Sequence, residues 1–161
     1  HRAIYRNLAH VNCILHTHSL YGTALSNLEV NFMLLDQISM MFYNKVGYHD
    51  FEKLFITDNE QMSLIKDMQG KNSMILKNHG LITVGNNITD AFWFHYYLEK
   101  SCQLQILTMS TGGKIKYPSD NTIRQTAAKY ELWRNQNDHI EVSDSELLFD
   151  AAKRKIGYIF D

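Results

Sequence analysis

Proline is nearly absent from this 161-residue sequence, where Pro118 stands alone. Helices are therefore free to run long, because proline is the residue that most often kinks or ends them. Cysteine is almost as scarce. Cys13 and Cys102 both lie in apolar segments, and no C-x-x-C or Cys/His finger spacing occurs. A disulfide scaffold is excluded, and buried thiols in a reducing cytoplasm are expected. No sign of charge dominates, since 16 Lys and Arg face 17 Asp and Glu for a net charge of -1. That balance excludes a basic nucleic-acid face and an acidic tail. No apolar run reaches the length of about eighteen residues that a membrane-spanning helix needs, and no secretory h-region opens the chain. Low-complexity runs and internal repeats are missing too. The chain begins at His1 rather than methionine, and an internal starting point is expected.

The 45% hydrophobic content is enough for one buried core at this length. Val11–Leu15 is a short, mostly apolar run that predicts a buried strand leading into His16. His16–Leu28 then carries Leu20, Ala24, Leu25 and Leu28 at helical spacing. A short strand is predicted at Phe32–Leu35 and a helix at Gln37–Tyr43. Thr57 and Glu60 form a capping box, Met62, Leu64, Ile65 and Met68 make an apolar stripe, and Gly70 ends that helix. Ser73–Leu76 and Leu81–Val84 read as a hairpin joined by Asn78-His79-Gly80, two of whose residues tolerate positive φ. Thr89 is predicted to cap a long helix to about Met109, apolar enough to be buried on more than one side. Beyond Pro118, Thr122–Asn135 and Leu147–Ile156 are helical, the second opened by a Ser143/Glu146 capping box. Strands and helices alternate without a strict β-α-β rhythm, so the fold class expected is α/β, layered around a mixed sheet.

The sharpest chemical signal is His16-Thr17-His18. In extended geometry residues i and i+2 point to the same face, and two neutral imidazoles there suit a tetrahedral zinc ion. An isolated pair of this kind is also compatible with the polar end of an ordinary strand. His79, at a turn where a strand ends, is the natural third ligand. Three protein nitrogens leave a position open for water or substrate. The alternative for His79 is a turn histidine bonded to backbone.

Taken together, His1-x-x-Ile4-Tyr5, His16-Thr17-His18-Ser19, Leu76-Lys77-Asn78-His79-Gly80-Leu81-Ile82-Thr83-Val84-Gly85, Asp90-Ala91-Phe92, Leu98-Glu99 and Cys102-Gln103 closely resemble the class II aldolase/adducin family. The order and spacing of the blocks match over residues 1 to about 110. The tract Val46-Gly47-Tyr48-His49-Asp50-Phe51 and the tail Gly157-Tyr158-Ile159-Phe160-Asp161 resemble its adducin-related bacterial branch. The resemblance implies a three-layer α/β/α sandwich with a mixed, largely antiparallel central sheet. Residues 1–110 would form the family domain, N-terminally incomplete, and residues 111–161 a helical extension packing on it. It implies a homotetramer and one Zn2+ per subunit held by His16, His18 and His79. The metal would act as a Lewis acid toward a small hydroxy-carbonyl substrate, stabilising the enediolate of a retro-aldol cleavage or of a related epimerisation. The family's acid/base glutamate would lie upstream of His1, so no catalytic residue is assigned within the chain. The alternative implied by the same resemblance is a non-catalytic adducin-like module with an actin-type partner, or an inactive remnant of the family.

The remaining candidates read as structural. His1 resembles a supporting histidine of the family motif. His49 reads as a loop histidine, solvated or lining a pocket. His95, on the apolar helix, reads as a satisfied core histidine, and His10 and His139 have no partner motif. Trp93, Phe94, Tyr96 and Tyr97 read as core, Cys102 as an unactivated thiol, and Lys153-Arg154-Lys155 as solvated surface that complements a helix dipole.

Overall fold

The computed structural model describes residues 1–51, 58–137 and 143–156. Four strands make one sheet: β1 (Cys13–Thr17), β2 (Val46–His49), β3 (Ser73–Leu76) and β4 (Gly80–Gly85). Their order is β1-β4-β3-β2. β1 and β3 each pair antiparallel with β4, while β2 runs parallel to β3, so the sheet is mixed and largely antiparallel.

Period-two geometry sends alternate side chains to opposite faces of the sheet, and each face collects its own core. Met74, Leu76, Ile82 and Val84 pack with Ala3 and Ile4 of α1 (Arg2–Asn7) and with Leu64, Ile65 and Met68 of α3 (Asp58–Met68). On the other face Ile75 and Leu81 meet Leu25 of α2 (Leu20–Ser26) and Phe94, Leu98 and Cys102 of α4 (Ile88–Ser110). Helices thus cover both faces, which gives the three-layer α/β/α architecture. Each large side chain buried this way contributes about 1.5–3 kcal/mol before its ordering entropy is subtracted.

The peripheral elements follow their local chemistry. α5 (Asp120–Asn137) starts two residues past Pro118, with the Ser119 hydroxyl accepting from the Thr122 amide at 3.1 Å. α6 (Asp144–Ile156) opens with the expected reciprocal box. Ser143 N donates to the Glu146 carboxylate at 2.7 Å, and Glu146 N donates to the Ser143 hydroxyl. Phe149 of α6 stacks edge-on against Phe92 of α4, and Trp133 of α5 lies 6.0 Å from Trp93. Lys153, Arg154 and Lys155 sit exposed in the last turn of α6.

Several expectations need correction. Residues 32–35 form no strand, because side chains rather than a neighbouring strand satisfy their backbone. Phe32 N donates to the Tyr48 hydroxyl, Met33 N to Gln105 Oε1, and Gln105 Nε2 donates to Asn31 O. The helix expected over 37–43 shrinks to one 3-10 turn, Ser39–Phe42, with the Asp36 carboxylate accepting from the Ile38 and Ser39 amides. α4 is capped by Asn87, whose side chain accepts from Asp90 N at 2.8 Å, while Thr89 only donates its hydroxyl to Asn87. β2 was hidden in a tract read as loop. His49 ends it, buried rather than solvated, with Nδ1 2.8 Å from Asp67 of α3. Thr57 of the capping box, His139 and the 157–161 tail lie outside the described residues.

Candidate metal centre

The site is built where β1 ends and β3 turns into β4. His16 is the penultimate residue of β1, and His18 lies one residue beyond the strand. Across the ladder His16 pairs with Ile82 and Thr17 with Leu81, which carries the pair to the β3–β4 turn. Asn78 in that turn adopts φ 55°, a left-handed conformation that asparagine tolerates. Gly80 is not left-handed. It is glycine for space: an added Cβ would collide with the Thr17 carbonyl and sit 3.3 Å from His18 Cα.

The C-terminal end of α2 fixes the turn from the other side. Asn78 N donates to Ser26 O at 2.9 Å, and His79 N is shared between Leu76 O and the Ser26 hydroxyl. The result brings His16, His18 and His79 together. One potential ligand nitrogen from each lies within 4.8 Å of the others. Their ring centroids are 4.7 to 5.0 Å apart. His16 and His79 are half-buried and His18 is exposed, so the cluster opens to solvent.

Proton positions follow from the partners. His16 Nδ1 lies 2.9 Å from Leu81 O, and a carbonyl can only accept, so Nδ1 carries the proton and Nε2 offers its lone pair. His18 Nε2 stands 3.2 Å from that lone pair. In a tetrahedral zinc site with bonds of about 2.0–2.1 Å, neighbouring ligand atoms are roughly 3.3 Å apart. The donor set therefore fits: nitrogen-rich, neutral and open on one side. Burial pushes the His79 imidazole below its ordinary range, and the nearby His16 and His18 push the same way. Both effects favour the uncharged form that a cation needs.

Sequence reasoning named the three histidines but missed what holds them. The Glu99 carboxylate of α4 accepts from the Ser19 hydroxyl (2.7 Å), Tyr21 N (2.9 Å) and Gly22 N (2.7 Å). α2 has no side-chain cap of its own, so Glu99 satisfies amides its first turn would leave orphaned. One turn earlier, His95 Nε2 lies 2.7 Å from the Thr17 hydroxyl and Nδ1 lies 3.0 Å from the Thr83 hydroxyl. Thr83 spends its one proton on Ala91 O, so it must accept from His95 Nδ1–H, and Thr17 must donate to His95 Nε2. Burial lowers the His95 pKa to about 4 against the opposing pull of Glu99. His95 is thus the satisfied, neutral core histidine expected. The available signal was the i, i+4 spacing of His95 and Glu99, which places both on one helix face.

The other candidates lie apart. His1 is exposed, its ring 6.1 Å from that of His16. His10 is exposed, and burial drives the Cys102 thiol far above its ordinary range. Phe51 packs edge-on against His79. A cleft of about 410 Å³ borders the turn through Ser26, Lys77 and Asn78. Among the described residues no helix is long and apolar enough to cross a membrane.

Comparison with known proteins agrees with this architecture. Residues 1–106 match the family model described as Class II Aldolase and Adducin N-terminal domain. Over 115 residues the chain is 35% identical to L-fuculose phosphate aldolase of Methanococcus maripaludis, covering 70% of this chain and 60% of that protein. Over 132 residues it is 28% identical to alpha-adducin of Rattus norvegicus, covering 81% of this chain and 17% of that one. An aldolase II superfamily protein from Pseudomonas syringae superposes with a TM-score of 0.81 at 26% identity, over 96% of this chain and 59% of its own. The chain spans less than two thirds of the length of these curated relatives. The chain belongs to the class II aldolase and adducin family.

Proposed function

We propose that His16, His18 and His79 hold one zinc ion, and that the protein acts on a small hydroxy-carbonyl compound as an aldehyde-lyase or related epimerase. The observation that carries this reading is the convergence of three imidazole nitrogens within 4.8 Å. The likeness to L-fuculose phosphate aldolase supports it. A bound divalent cation supplies Lewis-acid stabilisation for negative charge developing on substrate oxygens during carbon–carbon cleavage.

The chain's own residues prepare for that chemistry. Leu81 O holds the His16 ring in the tautomer that turns Nε2 to the site. As a ligand through Nε2, which stands 3.2 Å from His16 Nε2, the His18 ring would carry its proton on Nδ1. The exposed Phe51 ring packs edge-on against His79 on the open side of the cluster. A homo-oligomer, tetrameric by family resemblance, belongs to the same proposal, as does a cytoplasmic setting.

The test is the zinc-to-protein ratio by elemental mass spectrometry, after zinc is offered during purification. One equivalent is expected in the wild type and a loss in His16→Ala. No metal in either protein refutes the reading. It would favour the second one, a non-catalytic adducin-like module, which the longer 132-residue match to alpha-adducin supports.

A further inference from the structure

We infer that His95 and Glu99 form a two-point clamp by which α4 presets the His16–His18 ligand pair, making both of them positioning residues for the metal. This inference rests on the zinc reading above.

The two ligands sit on a short piece of chain with few constraints of its own. β1 stops at Thr17, α2 does not start until Leu20, and His18 is exposed between them. Among the described residues, β1 is tied into the sheet's hydrogen-bond ladder along one edge, through β4. Left to that ladder alone, the junction would fray at the residue that must hold still. α4 grips it at both ends. His95 takes the hydroxyl of Thr17, the residue between the ligands, and Glu99 takes three donors from Ser19, Tyr21 and Gly22, immediately after His18. His95 and Glu99 are one helical turn apart, so a single rigid face fixes the spacing of the two grips. That helix is anchored in turn: Leu98 and Cys102 of the same stretch are fully buried against the sheet.

The carboxylate acts as an acceptor at each of these contacts. Oε2 accepts from both the Ser19 hydroxyl and Gly22 N, while Oε1 accepts from Tyr21 N. Three donors meet an acceptor-only group, an arrangement that glutamine cannot reproduce. Whichever way the amide is turned, its NH2 faces a backbone N–H, that of Tyr21 or that of Gly22. Such outer contacts typically change metal affinity about 10–100-fold when removed.

The experiment compares zinc affinity of the full chain, by competition with a chromophoric chelator, for wild type, Glu99→Gln, Thr17→Val and His16→Ala. Thermal melts of the metal-free proteins and visible spectra of the cobalt(II) forms accompany it. Wild type is expected to bind one equivalent and His16→Ala none. Glu99→Gln and Thr17→Val are expected to bind about tenfold more weakly and to show shifted cobalt bands while still folded at the assay temperature. Lower melting points with unchanged affinity and unchanged cobalt bands make the contacts merely structural and overturn the clamp, leaving the zinc site intact. If Glu99→Gln does not fold, Thr17→Val decides alone, since it keeps the side-chain shape and removes only the hydroxyl. No zinc on the wild type overturns the zinc reading, and the clamp with it.

Discussion

Gly80→Ala adds one methyl group at the start of β4, against the end of β1 and His18. The new Cβ would overlap the Thr17 carbonyl oxygen and lie 3.3 Å from both Cα and Cδ2 of His18. The oxygen is backbone in a paired strand, with Thr17 opposite Leu81, so no rotamer change relieves the clash. The end of β1 must move away from β4. Overpacking typically costs about 1–3 kcal/mol, and a backbone partner puts this case near the top, at about 3 kcal/mol. For a chain of this length that corresponds to a fall of roughly 10 °C in melting temperature. Gly70→Ala is the control. Nothing lies within 4 Å of its added Cβ, and its φ of +71° charges only the left-handed penalty, about 1–2 kcal/mol. Circular-dichroism melts and metal-to-protein ratios of the two variants are the assay. Gly80→Ala should be the less stable and should lose zinc, while Gly70→Ala should keep it. A Gly80→Ala protein that melts at or above Gly70→Ala and binds zinc normally would refute the close-approach argument.

Two further outcomes follow from burial. Burial pushes the His95 imidazole from its ordinary 6.5 down to about 4 in the fold, so in acid the unfolded chain takes up this proton first. Stability from this group is complete above pH 6.5 and is lost as the pH falls to about 4, by roughly 3 kcal/mol. Urea titrations of metal-free wild type and His95→Gln across that range should show their stability difference shrinking by about that amount, whereas a pH-independent difference would sink the argument. Cys102 is fully buried with its thiol pushed far up, while Cys13 is half-buried. A chromogenic disulfide at mild alkaline pH should therefore label one thiol in the native protein and two after denaturation; two fast equivalents in the native state would contradict the packing of α4.

What could be read from the sequence divides along physical lines. Elements defined by local chemistry were legible: the capping box at Ser143, the hairpin around Asn78, and the long apolar run of α4. The histidine trio was legible because each member carries a spacing or turn signature. Elements defined by distant partners were not. Residues 32–35 have strand-like composition, yet Gln105 and Tyr48 supply their hydrogen bonds from far along the chain. β2 contains a glycine and a histidine and reads as loop until β3 is alongside it. His49 could not be placed without Asp67. Glu99 was visible only as part of a family pattern, because its three partners lie 77 to 80 residues away.

The site's dependence on register explains why these distant contacts matter. Along β1, Ile14 packs against the core shared with α1 and α3, and His16 follows it on the same face. Thr17, on the opposite face, reaches His95 of α4. The facing row of β4 is Val84 opposite Ile14 and Ile82 opposite His16, and its next member is Gly80, beside His18. One stretch of chain thus serves two tasks by alternation: His16 and His18 are the proposed ligands, and Thr17 between them is held from behind. A slip of one residue between β1 and β4 would exchange the two sets, turning Thr17 to the site and His16 toward α4. The apolar pairs above the histidines and the α4 contacts below them oppose that slip together. The packing that specifies the sheet is therefore also what determines which nitrogens meet.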